Sequence, residues 1–253
     1  MTDNDDQNRL ASLRVGIVRD RIVDVAVESL AELPPVDLLV LAVPARAILH
    51  MLDRLPATHP DGCRVFDLGS TKGAITTAMD GLPPQFAAIG GHPMCGKPTL
   101  RVTTDLAADV LAIIAAVGAH PVWMDAADHD AAIAAVSHLP AVLSAALMRS
   151  AADEELWPVS ASGFRDTARL AGTDPRMMLD ILLTNRDAIL AALACFESEL
   201  AAARFALESA DEEVLIEWLA AAQVTYAAYR RFKSAQYLLP PARSPNPPDG
   251  GIA

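Results

Sequence analysis

The chain has 253 residues, 52% of them hydrophobic and 21% charged, so it is long enough to bury a core and too apolar to be disordered in bulk. Aromatic residues make up only 5% and alanine is abundant, which favours helices over a β-sandwich. A formal net charge of −12 argues against a nucleic-acid or anionic-membrane surface, so an anionic ligand has to be held by a local cluster of Arg, Lys and His.

Cys63, Cys95 and Cys195 lie far apart with no C-x-x-C pair, which gives little support to zinc or dithiol chemistry and suits a reducing compartment. Met1–Asp6 is acidic and polar, unlike a signal peptide, and no uninterrupted apolar run approaches the ~18 residues of a membrane span. The expectation is a soluble cytoplasmic protein without a membrane partner.

In chain order, Leu13–Val18 has the pattern of a first strand. Asp37–Pro44 is a continuous apolar run ended by proline, as suits a strand buried on both faces. Ala45–Leu55 follows with helical spacing, Arg64–Gly69 and Ala87–Gly91 are further strand candidates, and Asp105–Val117 reads as a helix with Thr104 or Asp105 as N-cap. Val122–Met124 closes this half. Strands alternating with helices imply an α/β fold with a parallel sheet.

After Asp125 the strand signals stop. Asp128–Met148 reads as a helix kinked at Pro140. Asn185–Leu207 sets Ile189, Leu193, Phe196, Leu200, Ala203 and Leu207 at alternating spacings of four and three, and Asp211–Lys233 repeats the device with Leu215, Trp218, Ala222, Thr225 and Tyr229. Such seams are mostly helix-bundle core, with a share left over for another subunit. The expected division is an α/β domain over 1–124, a helical domain over 125–238 and a disordered tail over 239–253.

Four segments carry chemistry. Asp67-Leu68-Gly69-Ser70-Thr71-Lys72 sits where a strand runs into a loop, at the edge where parallel sheets bind ligands, so Ser70 and Lys72 are expected to face the crevice; taken alone, it also reads as an ordinary turn. In Gly90-Gly91-His92-Pro93-Met94-Cys95-Gly96, glycines flank a histidine just after a strand, a candidate general base at neutral pH. His138, in Val136–Pro140, is by itself a plausible core histidine. Arg165 and Arg169 are four apart on one helix face and suit carboxylate recognition, or else form a solvated face with Asp166 as local partner.

Together with Asp174-Pro175 through Asp180 and Asn185, these segments resemble the prephenate dehydrogenase family, in the family's order and over most of the chain from Val36 to Phe232. The resemblance implies a Rossmann-like domain followed by a helical dimerisation domain, and a homodimer. It implies NAD- or NADP-dependent oxidative decarboxylation of prephenate, a dicarboxylate, or of arogenate. By similarity, His92 accepts the ring-hydroxyl proton, Ser70 orients His92 near the nicotinamide, and His138, Lys72, Arg165 and Arg169 hold substrate.

The chain departs from the family at the cofactor cradle. No G-x-G-x-x-G is present, and Arg19-Asp20-Arg21 follows the first strand candidate where glycines are needed. A better alignment puts Gly16–Val18 in a later turn and makes Asp3 the ribose-binding acid, leaving a front of ~30 residues without counterpart. A further stretch is missing after Gly96, and Ala141 replaces the family's second histidine after Ser137-His138-Leu139-Pro140. A misplaced gene start, a decayed paralogue and a non-redox binder compete as explanations, and the stretch missing after Gly96 weakens the first. An in-frame glycine fingerprint upstream would favour the enzyme. The alternative function is a non-catalytic ligand-binding or dimerising paralogue, and the chain is expected to bind product-like ligands better than NAD+.

Overall fold

The computed structural model describes residues 15–18, 29–94 and 104–238. They fall into two compact units, one running to Ile189 and the other starting at Leu190. The first is built on four parallel strands, β1 (Val15–Val18), β2 (Leu38–Leu41), β3 (Arg64–Asp67) and β4 (Ala87–Gly90), in the order β1-β2-β3-β4. Val15 stands opposite Leu38, Leu38 opposite Arg64 and Arg64 opposite Ala87.

All four residues of β2 are buried, as its unbroken apolar run requires of a strand covered on both faces. Leu39 and Leu41 point to one side, where they meet Val65 and the apolar stripes of α1 (Ala45–Thr58) and α2 (Gly73–Asp80), including Ile48, Leu52, Leu55 and Ile75. Leu38 and Val40 point to the other, against Phe66, Ile89 and α3 (Thr104–Ala116), which contributes Leu106, Val110 and Ile114. The spacing of three and four along α1, of four along α3 and of two along β2 is the periodicity of helix and strand packed face to face.

Of the two placements of Gly16–Val18, the structure holds the strand, so these residues form β1 and not a later turn. Val122–Met124 runs outside the sheet and forms no strand. Asp3, Cys95–Val102 and the tail from Leu239 lie outside the described residues.

The polypeptide leaves β3 and β4 very close to the sheet. A Cβ on Gly69 would lie 2.8 Å from Asp67 Oδ1 and 2.9 Å from both Ile48 Cδ1 and Ile75 Cδ1. One on Gly91 would lie 2.6 Å from Phe66 Cε2. Both turns can approach this closely only without a side chain.

Beyond the sheet, α4 (Ala126–Ile133), a five-residue π turn (Ala134–His138) and α5 (Leu139–Ser150) run on as one helical stretch. The kink expected at Pro140 takes this form: proline supplies no N–H and its ring crowds the carbonyl four residues back, so the helix widens just before it, and Pro140 enters the first turn of α5. Asp125 caps α4 by accepting the Ala127 N–H at 2.8 Å. By length and composition alone, 126–150 is apolar enough to cross a membrane, but it buries His129, Asp130 and His138 inside the unit. Ser144 ties α5 to α6 (Ser162–Ala168) and the turn after it, donating to the Thr167 carbonyl and accepting the Ala171 N–H. Next, α7 (Pro175–Thr184) is capped by Asp174 and ion-paired to α1 through Asp180 and Arg46.

The second unit consists of the continuation of α8 (Arg186–Ser209) beyond Ile189 and α9 (Glu212–Leu238), joined through Ala210 at φ 51°. The two expected seams lie on these helices. Within one chain the α9 seam is exposed from Trp218 to Tyr229, whereas on α8 only Leu200 and Leu207 of the seam are exposed, at 52% and 68%.

Gly69→Ala should lower stability by about 1–3 kcal/mol through overpacking of the turn after β3. Urea unfolding should show the midpoint shifted at constant m. An unshifted midpoint would mean the turn has more room than these distances give it.

Candidate functional site

In a parallel sheet, ligands bind beyond the carboxyl ends of the strands. There β3 delivers the turn Asp67–Lys72 and β4 delivers Gly91-His92-Pro93. Asp67 is fully buried; its Oδ1 accepts the Gly69 N–H at 2.6 Å and its Oδ2 accepts the Lys72 ammonium. The Lys72 side chain is therefore not on the crevice surface as expected but inside, as half of a buried ion pair. Burial drags Lys72 down and Asp67 up from their ordinary pKa values, and each partner's charge opposes that drift in the other. Ser70 is half-buried within the turn, and Thr71 pins the turn to α7 through a 2.9 Å hydroxyl contact with Thr184.

His92 is buried at the end of β4, its Nδ1 2.9 Å from Nε2 of His129. The rings meet edge to face with centroids 5.1 Å apart. His129, not the expected Ser70, is thus the partner found on His92 Nδ1. On its other side, His129 Nδ1 donates to Asp130 Oδ1 at 2.8 Å. Asp130 also accepts the backbone N–H of Lys72 at Oδ1 (2.8 Å) and of Gly73 at Oδ2 (2.7 Å). The Asp130 carbonyl accepts from Asn185 Nδ2 at 2.8 Å, and the same amide nitrogen lies 3.1 Å from His138 Nδ1.

One buried network thus joins His92, His138 and the Lys72 backbone. Arg165 and Arg169 stand outside it. Both are exposed, on α6 and just after it, and Arg165 donates to its neighbour Asp166 at 3.0 Å. Sequence reasoning assigned no role to His129, Asp130 or Asn185. The available signal was Asp128-His129-Asp130 at the head of an otherwise apolar helix, where a polar cluster lacks an obvious solvent-facing reason.

Burial, reinforced by the nearby His129, Lys72 and His138 charges and opposed by Asp130, lowers the His92 pKa to about 3. Burial, opposed by Asp130 and reinforced by His129, lowers that of His138 to about 4. For Asp130, burial pushes upward, but hydrogen bonds from His129, Gly73 and Lys72 outweigh it and hold the carboxyl below its usual range. At neutral pH the site offers two uncharged imidazoles backed by an ionised carboxylate, an arrangement suited to moving a proton to or from a hydroxyl group. Among the described residues, no group of three His, Cys, Asp or Glu is placed to hold a metal ion.

Two family models match the chain: "Prephenate dehydrogenase, nucleotide-binding domain" over residues 1–103 and "Prephenate dehydrogenase, dimerization domain" over 125–221. A prephenate dehydrogenase of Bacillus subtilis (strain 168) is 28% identical, the match covering 87% of this chain and 66% of that protein. A cyclohexadienyl dehydrogenase of Zymomonas mobilis is 26% identical over 83% of this chain and 79% of its own. Among solved structures, prephenate dehydrogenase from A. aeolicus in complex with hydroxyphenyl propionate and NAD+ superposes with a TM-score of 0.69 at 25% identity, covering 77% of each chain. Synechocystis arogenate dehydrogenase gives 0.67 at 26% identity, covering 82% of this chain and 84% of that one. The chain spans 66% of the B. subtilis relative and 57% of one from Lactococcus lactis.

A dinucleotide's pyrophosphate needs free backbone N–H groups at a helix N-terminus, reached over a glycine turn. At α2 the Lys72 and Gly73 N–H groups are already taken by Asp130. The Cβ space at Gly69 and Gly91 is filled by the protein's own atoms. The start of α2 is therefore no pyrophosphate cradle, and the turn after β1, where a dinucleotide-binding fold places one, lies outside the described residues.

Between pH 6.5, the ordinary histidine value, and their folded values of about 3 and about 4, His92 and His138 bind fewer protons folded than unfolded. Stability is therefore full above about pH 6.5 and should be lost progressively as pH falls below it. Urea unfolding across this range should show that slope, and His92→Asn should flatten it. An unchanged slope in the variant would mean that His92 does not fold as a buried neutral ring.

Proposed function

Because the chain belongs to the prephenate dehydrogenase family, we propose that it acts in oxidative decarboxylation of prephenate or arogenate, with His92 as the base. The observation that carries this is His92 itself, a buried neutral imidazole at the carboxyl end of β4 whose Nδ1 is occupied by His129, which leaves Nε2 to meet a substrate hydroxyl. The substrate O–H bond breaks and its proton passes to Nε2. In the overall reaction the ring gives up a hydride and loses its carboxylate as carbon dioxide, and prephenate becomes 4-hydroxyphenylpyruvate. His138, at the other end of the network, orients the substrate. Ser70 is assigned to the nicotinamide side of His92, and Arg165, turning from Asp166, pairs with a substrate carboxylate with Arg169 nearby.

NAD or NADP is the hydride acceptor that the family's nucleotide-binding domain implies. The domains proposed are 1–124 for the α/β part and 125–238 for the helical part. The exposed parts of the seams on α8 and α9 and the match to a dimerisation domain support a homodimer. Free Cys63 and Cys195 accord with work in a reducing cytoplasm. A second reading, a member that binds ligand without turnover, is favoured by Arg19-Asp20-Arg21 standing after β1 where glycines are needed.

Formation of reduced nicotinamide from prephenate and from arogenate, each with NAD+ and NADP+, tests the first reading. His92→Ala should lower turnover by roughly 10²–10⁴-fold, the usual share of a positioned base. Product binding without turnover in any of the four combinations would favour the second.

Arg165→Ala should weaken 4-hydroxyphenylpyruvate binding at least about tenfold, because a hydrogen bond to a charged group contributes roughly 1.5–3 kcal/mol. Unchanged affinity by calorimetry in the folded variant would remove Arg165 from the site.

A further inference from the structure

His92 and His138 are chemically identical rings in one buried network, and the atoms around them dictate where each carries its proton. A carboxylate can only accept, so His129 Nδ1, 2.8 Å from Asp130 Oδ1, bears hydrogen. On a His129 ring with one hydrogen, Nε2 then carries the lone pair. The single hydrogen in its 2.9 Å contact with His92 Nδ1 must belong to His92, which leaves His92 Nε2 bare.

The second branch runs the other way. A carbonyl can only accept, so the Asn185 atom 2.8 Å from the Asp130 oxygen is the amide NH2. Its second hydrogen points to His138 Nδ1 at 3.1 Å, so that nitrogen is the acceptor and the His138 proton sits on Nε2.

We propose that Asp130 sorts the two histidines into opposite tautomers, its carboxylate fixing His92 as a proton acceptor through His129 and its carbonyl fixing His138 as a donor through Asn185. Asp130, His129 and Asn185 are positioning residues. The duties given to the two rings rest on the activity proposed above; the tautomers do not. When a substrate hydroxyl gives its proton to His92 Nε2, an O–H bond breaks, an N–H bond forms, and the ring becomes an imidazolium. Its Nδ1–H still donates to His129, and His129 still donates to the Asp130 carboxylate, whose negative charge offsets the new positive one. This is the arrangement by which a buried carboxylate holds and stabilises a catalytic histidine, extended here by one further ring.

The test is histidine-selective 15N–1H correlation spectroscopy of the full chain at neutral pH, with the six histidines assigned by single His→Gln substitutions. The expected spectrum has His92 protonated at Nδ1 and bare at Nε2, and His138 the reverse. His129→Phe should scramble the His92 pattern and leave His138 as it was. Asn185→Ala should do the opposite. If His129→Phe fails to fold, the wild-type spectrum still decides.

Like tautomers on the two rings, or a doubly protonated His129 facing a bare His92 Nδ1, would overturn the proposal. In an active protein, His129→Phe should lower kcat at least about tenfold, as loss of a base held in the correct tautomer requires. Affinity for 4-hydroxyphenylpyruvate should stay within about twofold, since no binding contact is removed. An equal loss of affinity would mark His129 as a binding residue instead. The wild-type spectrum needs neither substrate nor cofactor. Inactivity toward both substrates would therefore sink the proposed activity and leave the sorting standing, and like tautomers in an active enzyme would do the reverse.

Discussion

The site hangs on a carboxylate that caps a helix it does not belong to. The N-terminal residue of α2 offers no side-chain cap, and the N–H groups of Lys72 and Gly73 are satisfied instead by Asp130, more than fifty residues further along the chain. An uncapped helix start buried in protein would leave donors unpaired, each a loss comparable to a missing hydrogen bond. By supplying both oxygens, Asp130 locks the helical stretch from α4 to α5 against the strand-end turn. This seats His129 beside His92 and, through Asn185, gives His138 its partner. The anion is in turn stabilised by the positive end of the α2 dipole.

Beside it, Asp67 and Lys72 form a buried ion pair within one turn. Such a pair adds little net stability, because removing two charges from water offsets most of their attraction, but losing one partner is severe. Its service here is geometric. Lys72 is drawn inward and its backbone N–H is left aimed at Asp130. A residue type that suggests anion binding thus becomes part of the frame, which also explains why the local basic charge near the network is smaller than the sequence implies.

The sheet was legible because its signals are local. A continuous apolar run marks β2, and the change of texture near Asp125 separates sheet from helices. His92 was legible because a histidine between glycines at a strand end has few other uses. Lys72 misled because nothing in Asp67–Lys72 shows that the side chain folds back on Asp67. His129 and Asn185 were invisible as site residues because their meaning lies in partners 37 and 47 positions away, which no window of sequence brings together. The seams on α8 and α9 were legible as stripes, but whether a stripe is covered depends on what lies against it, and within one chain that of α9 is bare while most of that of α8 is not.

The π turn at Ala134–His138 has a consequence for angular phase. At about 100° per residue, an unbroken α-helix would turn His138 roughly 80° away from Asp130, eight residues earlier. A π turn behaves as one inserted residue, which brings the spacing back to about seven, or nearly two whole turns, so that the two side chains fall on almost the same face. Pro140, by forcing that extra residue just upstream, acts as a phasing element. Closing Ala134–His138 into regular α-helix, with no residue removed, would leave every side chain of the network in the chain and swing His138 out of register with Asp130.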